Sequence, residues 1–155
     1  MRAIAAVLMA AGLSQPVSAE VSAASSDGFA IRQVRDVSIG MDEAWERLVD
    51  ISQWWSGAHS WSGEASNFSL IPAVGGCWCE IWDEGEVVHG RVITVQPGKM
   101  LRLDAPLGPL QGMGVNAVLT LSLKPSDAGE GGLLEMDYVV VGAAFQSLDQ
   151  IAPVV

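Results

Sequence analysis

The sequence predicts an α+β domain in which a curved antiparallel sheet packs against a helix. Apolar and polar residues alternate with a period of two from about residue 67 to 141, a pattern typical of strands with one buried face. One helical segment, "MDEAWERLVDISQWW", precedes that region, and a second helical pattern begins after Gly142. We therefore expect seven strands, two short helices and a terminal helix.

Turn residues set the predicted strand boundaries. A first strand is expected at about residues 29–39, before the helix. Acidic residues at Asp42 and Glu43 favour the start of that helix, because they complement the positive end of its dipole. The six later strands are predicted at about residues 67–71, 76–82, 87–95, 100–105, 115–124 and 133–141.

The first 19 residues have the pattern of an export signal. Arg2 precedes an apolar stretch, and the small residues Val17 and Ala19 predict cleavage before Glu20. The apolar stretch is shorter than the roughly 20 residues that span a bilayer. We therefore expect a periplasmic or secreted protein, with no stable membrane insertion after cleavage. Residues 20–28 are small and polar and predict a flexible leader, so the domain would comprise residues 29–155.

Composition narrows the range of partners. The formal net charge is −10 and no basic cluster is present, which argues against nucleic acid as a partner. Two cysteines are too few for a disulfide scaffold, so burial of apolar surface must stabilise the domain. The sequence indicates no cofactor and no metal site, and it gives no oligomeric state.

The turn after the cysteine strand decides which side chains point inward. A two-residue turn at residues 84–85 would place Glu80 opposite His89 on the polar outer face. The same register turns Cys77 and Cys79 inward, although a slip of one residue would reverse the two faces. The inner face is then nearly all apolar, which suits either a pocket for an apolar molecule or a closed core filled by the terminal helix.

Several segments in order resemble the SRPBCC superfamily, which has the START-like helix-grip fold. The similarity is greatest to the AHSA-type group, homologues of a heat-shock chaperone ATPase activator. It rests on Trp45, Trp54-Trp55, the glycine pair at residues 75–76 and later Gly and Pro positions, and it covers the chain from about Val34 onward. The resemblance implies a seven-stranded sheet around a long C-terminal helix with a hydrophobic cavity between them. Family members continue that helix further, so we expect it to be incomplete in this chain.

The resemblance implies binding of a small apolar molecule, lipid-like or aromatic, more than catalysis. The alternatives are a cyclase/dehydrase-like enzyme, or a protein-interaction module related to chaperone ATPase activators. Inward strand residues would line the cavity, and "WWSGAHSW" (54–61) would form either an aromatic gate or a packed corner. The candidate ligand-binding residues are Trp54, Trp55, His59, Trp61, Phe68, Leu70, Cys77, Cys79, Leu101, Leu103, Leu119, Met136 and Tyr138.

Two constellations could carry chemistry. Cys77 and Cys79 would lie about 6.6 Å apart on a regular strand, which favours buried free thiols over a disulfide or a metal site. Glu80 with His89 could act as a general acid/base pair, and His59 is a further weak catalytic candidate. The simpler interpretation of Glu80 and His89 is a solvated cross-strand pair. If the register slips, they become the first catalytic candidates.

Overall fold

The computed structural model describes residues 20–127, 129 and 131–154, and the predicted signal at residues 1–19 lies outside them. The described residues form an α+β domain with one antiparallel sheet, as the alternation predicts. A single α-helix, α1 (Met41–Val49), lies between the second and third strands of this described part. The strands are β1 (Glu20–Ser25), β2 (Gly28–Val37), β3 (Phe68–Leu70), β4 (Cys77–Trp82), β5 (Gly85–Gln96), β6 (Met100–Asp104), β7 (Asn116–Pro125) and β8 (Gly132–Val141).

The sheet has the order β1-β2-β8-β7-β6-β5-β4-β3, so it has eight strands and not the expected seven. The additional strand is β1, and the expectation of a flexible leader at residues 20–28 is therefore wrong. The β1 backbone pairs with β2 along the edge of the sheet, while all six β1 side chains are exposed. An edge strand without buried side chains has no alternation of apolar and polar residues, so the sequence pattern does not reveal it.

Helix α1 begins where the acidic first turn predicts, and it packs against β7. Ala44 and Leu48 form its buried face, and Arg47 donates to Glu43 one turn earlier at 2.6 Å. The helix ends at Val49, and a 3₁₀ turn continues the chain at Ile51–Gln53. The α-helix is therefore shorter than the periodic segment in the sequence.

The predicted C-terminal helix is absent from the described residues after β8. The chain there forms three 3₁₀ turns, at Ala144–Gln146, Leu148–Gln150 and Ala152–Val154. Ser147 has a positive φ of 51°, which interrupts helical geometry between the first two turns. Leu148 is fully buried and contacts the β1–β2 end of the sheet. The apolar periodicity in this segment thus reflects packing against the sheet.

We call the face of the sheet that α1 covers the inner face. On β6, β7 and β8 the predicted alternation is confirmed, because Leu103 pairs with Leu119 and Leu119 with Tyr138, and all three are buried. Arg91 lies opposite Asp104, although Gln96 pairs with Met100 across a three-residue loop and the register shifts between Val92 and Thr94. The centre of the inner face therefore has the residues that alternation assigns to it.

The β4–β5 hairpin has a different register from the expected one. Trp82 pairs with Gly85, so the two-residue turn lies at residues 83–84 and not at 84–85. The register shifts again where Trp78 pairs with Gly90 but Cys79 with Val88, which leaves His89 as the extra residue of a bulge. The displaced turn shifts the pairing by two residues and keeps the faces, whereas the bulge shifts it by one and reverses the expected faces of β4.

Candidate functional site

A cleft of about 380 Å³ lies between α1 and the inner face of the sheet. Strands β2, β8 and β7 form its floor, α1 forms one wall, and the residues that follow α1 form another. Eleven of its fourteen lining residues are apolar. The described lining residues are Gln33, Arg35, Val37, Ile39, Ala44, Arg47, Leu48, Trp54, Trp55, Leu119, Leu121, Leu123, Leu134 and Met136.

The floor of the cleft is ordered in rows across three strands. Met136 of β8 pairs with both Gln33 of β2 and Leu121 of β7, so these three side chains form one row. In the next row Leu134 pairs with Arg35 on one side and Leu123 on the other. The polar groups of the floor therefore lie on β2, whereas β7 and β8 contribute aliphatic and thioether side chains.

Two tryptophans close the cleft on the side that faces β4. The Trp54 indole donates from Nε1 to the Leu48 carbonyl at 3.1 Å, and the Trp55 indole donates to the His59 carbonyl at 3.0 Å. The Trp55 ring also packs edge-on against Trp78, with ring centroids 4.7 Å apart. Both indole N–H groups are satisfied by backbone, so the rings present apolar surface to the cleft.

A buried hydrogen-bonded pair fixes the loop that follows these tryptophans. Glu80 is fully buried, and its Oε2 lies 2.8 Å from Nε2 of His89. The same carboxylate accepts the backbone N–H of Trp61 at 3.0 Å and that of Ser62 at 2.6 Å. One side chain on β4 thus ties β5 to the loop at residues 56–62.

Hydrogen bonding keeps this carboxylate ionised. Burial alone would raise the pKa of Glu80, since a charged group loses solvation in the core. The hydrogen bonds from Ser62, Trp61 and His89 outweigh that effect and lower the pKa to about 2. An ionised carboxylate can only accept hydrogen bonds, so Nε2 of His89 is the donor in this pair.

An aromatic cluster surrounds the pair. The His89 ring lies 4.9 Å from Phe68 and 5.7 Å from Trp78, measured between centroids. Nε1 of Trp78 is buried, and no described residue accepts a hydrogen bond from it. The cluster therefore contains one polar atom to which the described part of the chain gives no partner.

The structure brings together only some of the predicted ligand-binding residues. Trp54, Trp55, Leu119 and Met136 line the cleft. Phe68, Leu101, Leu103 and Tyr138 are buried in the core, and Leu70 is half-buried. His59 and Trp61 are exposed, and they contribute backbone groups that accept from Trp55 and donate to Glu80.

Tyr138 is a predicted ligand-binding residue, but it does not line the cleft. Its hydroxyl donates to the Ala105 carbonyl at 2.8 Å and accepts the Leu107 N–H at 3.1 Å. Burial raises the pKa of Tyr138 to about 12, although the Leu107 N–H acts in the opposite direction. The hydroxyl therefore secures the loop after β6.

Cys77 and Cys79 form a disulfide, so the expectation of free thiols on the inner face is wrong on both counts. Their Cα atoms are 5.3 Å apart, closer than the spacing on a regular strand. Both residues are half-buried on the outer face, while Trp78 and Glu80 point inward.

The polar groups of the cleft are not among the residues predicted from the sequence. Gln33, Arg35 and Arg47 line it, and alternation along β2 from Phe29 and Ile31 would have placed Gln33 and Arg35 on the inner face. Among the described residues no group of three or more His, Cys, Asp or Glu could hold a metal ion. No described helix is long and apolar enough to cross a membrane.

Comparison with known proteins identifies the fold. No protein-family model and no curated protein matches the chain. Among solved structures, a truncated norcoclaurine synthase from Thalictrum flavum has a TM-score of 0.57 at 14% identity, over 87% of this chain and 88% of that one.

Two bacterial structures give a similar result. A protein from Rhizobium loti has a TM-score of 0.52 at 17% identity, covering 75% of this chain and 81% of its own. A conserved protein of unknown function from Enterococcus faecalis has a TM-score of 0.51 at 12% identity, covering 89% and 78%. At these identities the similarity concerns the fold alone. The chain has the helix-grip α+β fold, and these neighbours do not single out the AHSA-type group.

Proposed function

We propose that the protein binds a small apolar molecule in the cleft between α1 and the sheet. The cleft itself carries this proposal, because its volume of about 380 Å³ and its mainly aliphatic lining match the usual character of ligand sites. Transfer of an apolar molecule from water to such a surface is favourable without specific bonds. The two anchored indoles add a large and rigid apolar wall.

A substitution that fills the cleft tests this function. In Met136→Trp the added ring would occupy the floor between β2 and β7, so we expect loss of ligands that co-purify with the wild type or bind on titration. Val139→Trp is the matched control, because Val139 lies on the same strand but is 46% exposed on the outer face. Native mass spectrometry of both variants gives the measurement. Equal ligand occupancy in the two variants would refute binding in the cleft.

A cyclase/dehydrase-like enzyme is the second candidate. The observation that favours it is the buried His89–Glu80 pair beside the indole N–H of Trp78, for which no described residue is a partner. A carboxylate-held histidine can transfer protons, and the orphaned donor could bind a polar substrate group. The pair lies beyond the Trp54–Trp55 wall, which favours binding over catalysis. Mass spectrometry of the bound ligand before and after incubation with the protein tests the enzyme hypothesis. Turnover that is lost in His89→Gln, while the affinity for the ligand is retained, would establish an enzyme.

Export from the cytoplasm is part of the proposal. It is supported by the signal pattern of residues 1–19 and by the Cys77–Cys79 disulfide, since disulfides persist in oxidising compartments. N-terminal sequencing of the protein from the periplasmic fraction or medium should give Glu20 as the first residue. A relationship to the AHSA-type group is supported by the sequence resemblance alone. The further alternative, a protein-interaction module, is supported by the same resemblance.

A further inference from the structure

We propose that the Cys77–Cys79 disulfide is a redox-active site that exchanges with the thiols of a partner peptide or protein. The site lies on the outer face of β4, away from the cleft, so it is independent of the proposed function. The chain contains two cysteines, and both are in this bond. The disulfide therefore has no thiol of its own chain with which to rearrange, and only an external thiol can open it.

An attacking thiolate can reach the disulfide from solvent. Both cysteines are half-buried, and the nearest outer-face neighbours of Cys79 are Ile81 along the strand and Val88 across from it. Ile81 is 57% exposed and Val88 is 42% exposed, so neither side chain covers the bond. Ser69 of β3, which pairs with Cys79 on the other side, is exposed as well. The disulfide thus meets the access requirement of thiol–disulfide exchange.

Strand β4 is held in the sheet by contacts that do not involve the sulfur atoms. Trp78 and Glu80 are fully buried, and the Cys77 carbonyl accepts the Ile71 N–H at 3.0 Å. The disulfide itself closes a loop with one residue between the cysteines, and the stabilisation that a disulfide gives increases with loop length. Folding therefore favours the oxidised form only weakly. This is the property of exchangeable disulfides, whereas structural disulfides resist reduction by thiols.

The surroundings of the two sulfur atoms differ in charge. Arg91 of β5 pairs with Cys77, and its Nη1 donates to the Gly75 carbonyl at 3.5 Å, two residues before that cysteine. Asp104 pairs with Arg91 from the opposite side, one strand further from Cys77, so the guanidinium is the nearer charge. A nearby cation favours the thiolate form of cysteine. The incoming thiolate should therefore attack Cys79, and Cys77 should leave as the thiolate.

The exchange with a dithiol balances in two steps. A thiolate of the partner attacks Sγ of Cys79, the S–S bond breaks, and its electron pair stays on Sγ of Cys77. The second thiolate of the partner then attacks its own sulfur in the mixed disulfide and releases Cys79. The partner becomes a disulfide and loses two electrons, which the two cysteines gain. The two protons of the dithiol pass through solvent to Cys77 and Cys79.

Reaction of the oxidised full chain with a reduced peptide tests the proposal. The probe is a peptide with two cysteines separated by two alanines, and mass spectrometry after alkylation counts the thiols of both molecules. We expect the peptide to become oxidised at least about tenfold faster than with the Cys77→Ser/Cys79→Ser double variant, which has no disulfide. Mixtures of reduced and oxidised glutathione should populate both forms of the protein. A disulfide that stays oxidised at every ratio, or peptide oxidation no faster than with the double variant, would overturn the proposal.

Two further measurements separate exchange from a structural role. Wild type reduced with dithiothreitol should keep its circular dichroism spectrum, and unfolding on reduction would show that the disulfide is structural and overturn the proposal. Glutathione, a monothiol, should form its mixed disulfide mainly on Cys79. Arg91→Met should slow this reaction about threefold and remove the preference for Cys79. Arg32→Met, five strands away on the outer face, is the matched control and should react like the wild type. Equal behaviour of the two variants would overturn the assignment of Cys77 as the leaving group.

Discussion

Nε2 of His89 lies 2.8 Å from Oε2 of Glu80 at the centre of an aromatic cluster, and both side chains are almost completely buried. A charge in such surroundings is costly unless hydrogen bonds compensate it. Here the imidazole supplies one such bond, and two backbone N–H groups of the loop at residues 56–62 supply others. The pair therefore stabilises the loop that holds one wall of the cleft.

Glu80→Gln should destabilise the fold. The amide replaces a charged acceptor and presents an NH₂ group to one or two N–H donors, so at least one buried hydrogen bond is lost. We expect the free energy of unfolding in urea to fall by about 2–4 kcal/mol. The exposed Glu86→Gln on the neighbouring strand is the control and should change it by less than about 0.5 kcal/mol. Equal stability of the two variants would contradict the structural importance of Glu80.

The same carboxylate predicts a loss of stability in acid. The pKa of Glu80 is lowered from 4.5 to about 2 in the folded protein, so the unfolded chain binds the proton first as pH falls. The stabilisation is complete above about pH 4.5 and is lost between there and about pH 2, with a magnitude on the order of 3 kcal/mol. Urea unfolding of the wild type and Glu80→Gln at several pH values measures it. The difference between the two proteins should shrink as pH falls through this window, and a constant difference would contradict the prediction.

Tyr138 allows a direct test of the burial of its hydroxyl, because it is the single tyrosine of the chain. Burial raises its pKa from 10 to about 12, so tyrosinate absorbance should develop only near pH 12 while the protein stays folded. Because the folded pKa is the higher one, stability is retained below pH 10 and declines between pH 10 and 12. Titration in denaturant provides the control and should return the ordinary value. A folded-state titration near pH 10 would show that the hydroxyl is exposed.

Tyr138→Phe removes the bridge between Ala105 and Leu107. The substitution leaves a buried carbonyl and a backbone N–H without their partner, which should cost about 1–3 kcal/mol in urea unfolding. The aromatic ring keeps its packing, so a loss of apolar contacts in the core does not contribute to the change in the free energy of unfolding. A change below about 0.5 kcal/mol would mean that water replaces the hydroxyl.

The sequence predicts much of the sheet, because alternation is a reliable signal where strands pair without irregularity. This holds for β6, β7 and β8, whose inner residues Leu103, Leu119 and Tyr138 form one row. Alternation also contains the information that Gln33 and Arg35 point inward. They were not predicted as site residues, because a polar residue at an inner position indicates a binding site only when the cleft beside it is known.

The β4–β5 hairpin could not be predicted in the same way. Both faces of β4 carry apolar residues, so Trp78 and Ile81 give no preference for one side. The bulge at His89 and the turn at residues 83–84 then decide the register, and neither follows from local propensity. The sequence predicts that Glu80 and His89 form a pair, and a register slip would turn both side chains inward. In the structure the two side chains are in contact.

Gly90 is the residue that lets this bulge lie against β6, and it provides the final prediction. A Cβ atom at this position would lie 2.9 Å from Cβ of Ala105 and 3.1 Å from the Asp104 carbonyl oxygen. Asp104 ends β6, and the buried Ala105 that follows it donates its backbone N–H to Ala117 of β7. Neither neighbour can move easily, so Gly90→Ala should overpack the site and lower the free energy of unfolding by about 1–3 kcal/mol. It should also displace His89, which shifts its imidazole resonances in NMR spectra. Gly112→Ala is the control, since a Cβ there meets nothing within 4 Å, and it should be neutral or slightly stabilising. Equal stability of the two variants would mean that β5 and β6 are further apart than the structure has them.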